Sequence, residues 1–114
     1  MNAMNQVTLT GNLGATPELK TLDSGNAHTH ISLAIDMGYT DGDGQRVERT
    51  EWHRIVAWGR TAEILSALEK GTRVQITGQL RSRSYTDSDD TTRYITEVKA
   101  SHIHKIARRL TVAA

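Results

Sequence analysis

Apolar and polar residues alternate with a period of two along most of this chain, the spacing of half-buried β-strands. Val7, Leu9 and Leu13 share one side of the first such segment, opposite Thr8, Thr10 and Asn12. After a polar connection over 14–25, which holds the only proline, Pro17, a second strand is predicted. It turns Ile31, Leu33 and Ile35 one way and His28, His30, Ser32 and Asp36 the other. Asp41-Gly42-Asp43-Gly44 is a turn sequence, and a third strand is predicted over about 51–58. There the period changes. Ile64, Leu65 and Leu68 form a helical stripe, Thr61 is available as a cap and Gly71 as a left-handed stop. Glu63 suits the positive N-terminal end of that helix and Lys70 its negative C-terminal end. Alternation resumes at Val74, Ile76 and Leu80, a polar turn covers 86–92, and a last strand is predicted over about 93–103.

The order is β-β-β-α-β-β, with no internal repeat and no low-complexity linker. Five short strands with one helix between the third and fourth match an all-β, five-stranded Greek-key barrel, the OB-fold; other small α+β sheets share the same element order. The 114 residues suffice for one domain, expected over 1–106, followed by a short basic C-terminal tail over 107–114. The first three residues read as a frayed extension, with the ordered sequence starting at Met4.

Composition narrows the chemistry. There is no cysteine, which excludes disulfides, thiolate metal sites, Fe–S clusters and thiol catalysis. No apolar run spans a bilayer and the N-terminus lacks a signal pattern, so a cytoplasmic protein without a membrane partner is expected. No Walker A frame, dinucleotide loop or nucleophile elbow is present. The Asp41–Gly44 turn fails as a calcium loop, because Tyr39 and Thr50 would fall at the first and twelfth ligand positions. His28 with His30, and His102 with His104, are spaced so that each pair shares one strand face. Such a pair binds zinc only with a third ligand; the plainer reading is a solvated face, and no metal or other cofactor is expected.

The third strand is more informative. In Glu51-Trp52-His53-Arg54-Ile55-Val56-Ala57-Trp58, one face carries Trp52, Arg54, Val56 and Trp58, and the other His53, Ile55 and Ala57. If the tryptophans were core, Arg54 beside them would need a buried partner. If they are exposed, they form a stacking platform for the bases of a single strand. The fourth strand turns Arg73, Gln75, Thr77, Gln79, Arg81, Arg83 and Tyr85 outward, with no acid between Arg73 and Arg83. The net charge of +1 conceals this segregation. Acids gather in the two turns, at Asp41 and Asp43 and at Asp87, Asp89 and Asp90, while Tyr39 and Tyr85 sit at the turn bases. A local excess of cations is what phosphate binding requires.

With these residues in place, the chain resembles the bacterial-type single-stranded DNA-binding proteins. The resemblance opens at Met4-Asn5-Gln6-Val7-Thr8-Leu9-Thr10-Gly11-Asn12-Leu13-Gly14 and runs through Pro17-Glu18-Leu19 and Ile31-Ser32-Leu33-Ala34. Its most specific part is Thr50-Glu51-Trp52-His53-Arg54-Ile55-Val56-Ala57-Trp58-Gly59. Ala62-Glu63, Lys70-Gly71, Gly78-Gln79-Leu80-Arg81-Ser82-Arg83 and Arg93-Tyr94-Ile95-Thr96-Glu97-Val98 complete it. It implies an OB-fold that binds single-stranded DNA non-sequence-specifically and without chemistry, protecting it during replication, recombination and repair. It also implies a homotetramer, with a dimer as the next choice, and a cytoplasmic, nucleoid-associated location.

Family stacking positions fall on Trp52, Trp58, Tyr39 and Tyr85, and family cationic positions on Arg54, Arg60, Lys70, Arg81 and Arg83. His53 matches a subunit-interface position. Two departures stand out. One residue fewer lies around the helix than in common members. The family also usually continues into a Gly/Pro/Gln-rich linker with an acidic tip that recruits repair enzymes, whereas this chain ends at Ala114 after Lys105, Arg108 and Arg109. Recruitment through an acidic tail is therefore not expected of this chain. Two other classes compete with the main reading: an accessory OB-fold subunit of a replication-restart or RNA-binding complex, and a metal-dependent enzyme built on His28 and His30.

Overall fold

The inward residues of the alternating segments, Leu13, Ile31, Leu33, Ile55, Val74, Ile76 and Val98, are all buried and form one cluster. Their burial is the main favourable term in the fold. A computed structural model describes residues 4–106; the expected N-terminal extension and the 107–114 tail, with Arg108 and Arg109, lie outside the described residues. Five long strands carry the cluster: β1 (Val7–Leu13), β3 (Ala27–Asp36), β6 (Thr50–Trp58), β7 (Arg73–Thr86) and β8 (Thr92–Lys105). They follow the ring order β1-β7-β8-β6-β3, and pairing of β1 with β3 closes the ring. The β6–β8 contact is parallel and every other pairing antiparallel. This is the expected barrel of the OB type, with its helix between the third and fourth long strands.

Two places need glycine for closure. A Cβ on Gly11 would run into the Ala34 carbonyl where β1 crosses to β3. One on Gly78 would run into the Lys99 carbonyl, at the register shift between Thr77 and Gly78. A bulge of this kind bends a strand and lets a small sheet curl on itself.

The short strands β2 (Lys20–Thr21), β4 (Tyr39–Thr40) and β5 (Arg46–Val47) are not predicted from the pattern. β2 adds to the edge of β3, while β4 and β5 pair with each other in a hairpin arm. Helix α1 (Gly59–Ser66) starts and ends earlier than expected. Its N-cap is Trp58, with extended backbone and no side-chain cap bond, and Thr61 lies inside the first turn. Gly59, at φ +59, makes the entry into the helix directly from the strand. At the other end, Gly71 is left-handed as expected (φ +87) but lies beyond the helix, where its amide donates to the Leu13 carbonyl. Ala62 and Leu65 turn inward and are fully buried, while Ile64, expected in the apolar stripe, is exposed.

The two polar turns share one design. The Asp41 Oδ1 accepts from the amides of Asp43 and Gln45, both at 2.9 Å. The Asp87 Oδ1 accepts from those of Asp89 at 2.9 Å and Thr91 at 3.1 Å. An aspartate bonding its own backbone two residues on is a self-contained turn device.

Candidate nucleic-acid interface

Alternation along β6 and its register with β3 set the outer face of the barrel. Across the pair, Trp52 lies opposite Ala34, Arg54 opposite Ser32, Val56 opposite His30 and Trp58 opposite His28. Six residues at about 3.3 Å rise put the Cα atoms of the two tryptophans about 20 Å apart.

The tryptophans are not equivalent. Trp52 is 60% exposed, which places it on the surface and removes it from the core. Its ring leans over β3 to the end of β1, where a Cβ on Gly14 would come within 2.7 Å of it. The missing side chain of Gly14 is what lets the indole lie down. Trp58 is half-buried among cations and an imidazole. The Arg81 guanidinium stands 4.9 Å from its ring centroid, the Lys99 ammonium 5.6 Å, and the His28 ring 5.0 Å. Cations over an indole face are held by its quadrupole.

Between the tryptophans lies a cluster that the sequence does not advertise. The Glu97 side chain is 2% exposed, and three arginines gather around it. Arg54 Nε donates to one carboxylate oxygen at 2.9 Å and Arg83 Nε to the other at 3.1 Å. Arg81 Nε stands 3.9 Å away. The arginines are themselves 34–42% exposed, so the carboxylate is covered by one layer of side chains with water beyond. Burial alone would raise the Glu97 carboxyl; the hydrogen bonds and charges of Arg54 and Arg83 outweigh it and hold the group below the usual glutamate value. The partner that Arg54 would need if buried therefore exists, yet the exposure of Trp52 still makes this an outer face.

Register in the β7–β8 hairpin places Arg81 opposite Glu97 and Arg83 opposite Ile95. That hairpin continues beyond the barrel as an arm. One side carries Arg81, Arg83 and Tyr85 (45% exposed), and the other Leu80 and Tyr94 (51% and 78% exposed). Tyr39 is exposed on the β4–β5 arm. The structure thus brings together Trp52, Trp58, Arg54, Arg81 and Arg83. Arg60 sits in the first turn of α1, and Lys70 in the turn after it, its amide bonded to Thr16; among the described residues no hydrogen bond or ion pair joins either to the cluster. His53 is half-exposed beyond the core end of β6, opposite Leu33 and 3.9 Å from Glu51.

Glu97 and Lys99 join this face without a sequence motif that marks them, and His28, which the sequence offers only as half of a metal pair, lies against Trp58. For Glu97 a signal exists. The polar turn over 86–92 already fixes a hairpin register that puts Glu97 across from Arg81. Among the described residues, no three His, Asp or Glu side chains gather as metal ligands, and no helix is long and apolar enough to cross a membrane.

The model of the single-strand binding protein family matches residues 4–106. The chain is 37% identical over 111 residues to single-stranded DNA-binding protein 1 of Xylella fastidiosa, covering 96% of this chain and 82% of that protein. Among solved structures it is similar to a Plasmodium falciparum SSB in complex with ssDNA, at a TM-score of 0.79 and 28% identity over 90% of each chain.

Proposed function

The chain belongs to the single-strand binding protein family, and from that premise we propose how its outer face holds a strand. It binds single-stranded DNA and performs no chemistry on it. Bases stack on Trp52, Trp58, Tyr39 and Tyr85, and the backbone is held by Arg54, Arg60, Lys70, Arg81 and Arg83. The observation that carries this reading is Trp52, a large indole left in water beside a guanidinium cluster. Exposed aromatics interleaved with cations bind single strands with little sequence preference, because every base offers a π-face. Trp52 is the stronger platform of the two tryptophans, since His28, Arg81 and Lys99 already crowd Trp58. The biological setting is protection of single strands in replication, recombination and repair, in the cytoplasm.

Titration with oligo(dT) at low salt is expected to quench tryptophan fluorescence; absence of quenching would remove the proposal. Each phosphate neutralised lowers the slope of log K against log salt by about 0.7. Three to five contacts therefore give a slope between about −2 and −3.5. A flat salt response would show that the arginines do not meet phosphate. Poly(U) and duplex DNA serve as competitors, and displacement by poly(U) alone would favour an RNA-binding subunit instead.

Association is the second part of the proposal. The arm side bearing Leu80 and Tyr94 is uncharged, exposes those two large side chains around a Ser82–Thr96 pair, and is turned away from Arg81 and Arg83. Copies of the chain can pair through that side and through the end of the barrel at His53 without covering the strand-binding face. Light scattering is expected to give the mass of a homotetramer. The mass of one chain at all concentrations would overturn it.

A further inference from the structure

The outer face does not stop at β6. His28, on β3, is registered directly opposite Trp58, and its ring centroid lies 5.0 Å from the indole. The His30 ring is 6.2 Å from that of His28 on the same face. On the far side of β3, Lys20 of β2 is registered opposite His28. A row of side chains therefore crosses the sheet in the order Lys20, His28, Trp58, with Arg81 and Lys99 against the indole. Each ring in the row has a π-face of the kind a base can use, and each cation suits a phosphate.

We propose that His28 and His30 form an additional subsite for single-stranded nucleic acid. It takes the strand from Trp58 across β3 toward Lys20, and its occupancy is coupled to proton uptake by the two rings. The proposal rests on the single-strand-binding reading above and extends it to a part of the surface that the aromatic and arginine positions do not include.

The physical argument is one of charge. In the free protein the charged groups acting on the rings are Lys20 from β2, Arg54 from β6 and Glu97 from β8. The two cations outweigh the single carboxylate, which is already committed to its arginines. Partial burial, then Arg54 and Lys20, hold both imidazoles below their ordinary value, so they are neutral at neutral pH. A phosphate arriving among these groups reverses the local field and favours the imidazolium. Neutral rings stack on bases; charged rings also pair with phosphate. Because the complex then binds more protons than the free components, affinity must rise as pH falls.

The test is the affinity for oligo(dT), by anisotropy of a labelled strand at fixed salt, at pH 8 and pH 5.5. Thymine has no group that titrates in this range. The parent protein is expected to bind about tenfold more tightly at pH 5.5, the effect of one ring raised by about one pKa unit in the complex. A His28→Gln/His30→Gln variant should lose that rise and bind several-fold more weakly at pH 8. A His102→Gln/His104→Gln variant, changed on a different strand, should keep the rise. Circular dichroism confirms that each variant is folded. If the β3 variant keeps both the affinity and the pH response of the parent, the subsite is overturned. If the parent itself does not bind oligo(dT) at either pH, the single-strand reading fails first, which is a separate result.

Discussion

Replacing Trp52 by alanine is expected to weaken oligo(dT) binding by about 1–3 kcal/mol, the range for one lost base–aromatic stack. That corresponds to a fall of between about fivefold and 150-fold in affinity. The fold should be little affected, because the indole is 60% exposed and lies against Gly14 at the surface. Anisotropy of a labelled strand is the suitable readout, since the substitution removes part of the intrinsic fluorescence. Trp58→Ala should behave differently. Its ring is half-buried and carries Arg81, Lys99 and His28, so both stability and affinity should fall. A Trp52→Ala protein that unfolds would show that the face belongs to the core after all. One that binds like the parent would remove Trp52 from the platform.

The second large effect concerns Glu97. A Glu97→Gln variant keeps the shape but loses the charge that three arginines share. Removing one partner of a buried ion pair costs about 3–5 kcal/mol. Here the arginines are themselves 34–42% exposed, so water screens the loss and about 2 kcal/mol is expected at neutral pH. The pH dependence has a definite sign. The folded-state carboxyl is held below its ordinary value of 4.5, so its contribution is complete above about pH 4.5. It disappears as pH falls through the lower folded-state value. Parent and variant should thus differ in denaturant midpoint at pH 7 and converge in acid. A difference that persists unchanged at low pH would mean that the ion pairs do not hold this face. Affinity should move the opposite way, since the variant face gains one net positive charge and loses the group that competes with phosphate for Arg54 and Arg83. At low salt it should bind oligo(dT) several-fold more tightly.

Glu97 also shows where a sequence stops being legible. The five long strands could be read because one side of each is buried, and burial imposes a period of two on Leu13, Ile31, Leu33, Ile55 and Val74. On β6 the same period places Trp52, Arg54 and Trp58 on the outer face, but Val56, expected beside them, is fully covered. Strands of two residues, such as β4 and β5, have no period to read. The start of α1 carries no capping residue to mark it, because the left-handed backbone of Gly59 turns the chain into the helix unaided. Contacts across strands depend on register. The turn over 86–92 sets Glu97 across from Arg81, but the reach of Arg54 from β6 to the same carboxylate, and the His28 ring against Trp58, depend on pairings between strands that the sequence does not specify.

The two aspartate-centred turns have a consequence of their own. Each arm ends in a loop that fastens its own backbone through one carboxylate and leaves further acids pointing outward, Asp43 on one arm and Asp89 and Asp90 on the other. The two arms are therefore unlike to a polyanion: the β7–β8 arm offers Arg81 and Arg83 before the acids of its tip, whereas on the β4–β5 arm Arg46 is already paired with Asp36 and Glu48. On the proposed path, Tyr39 and Tyr85 would be the last positions at which a base could settle before the acidic tips. A strand so bounded would have to leave across the flanks of the barrel.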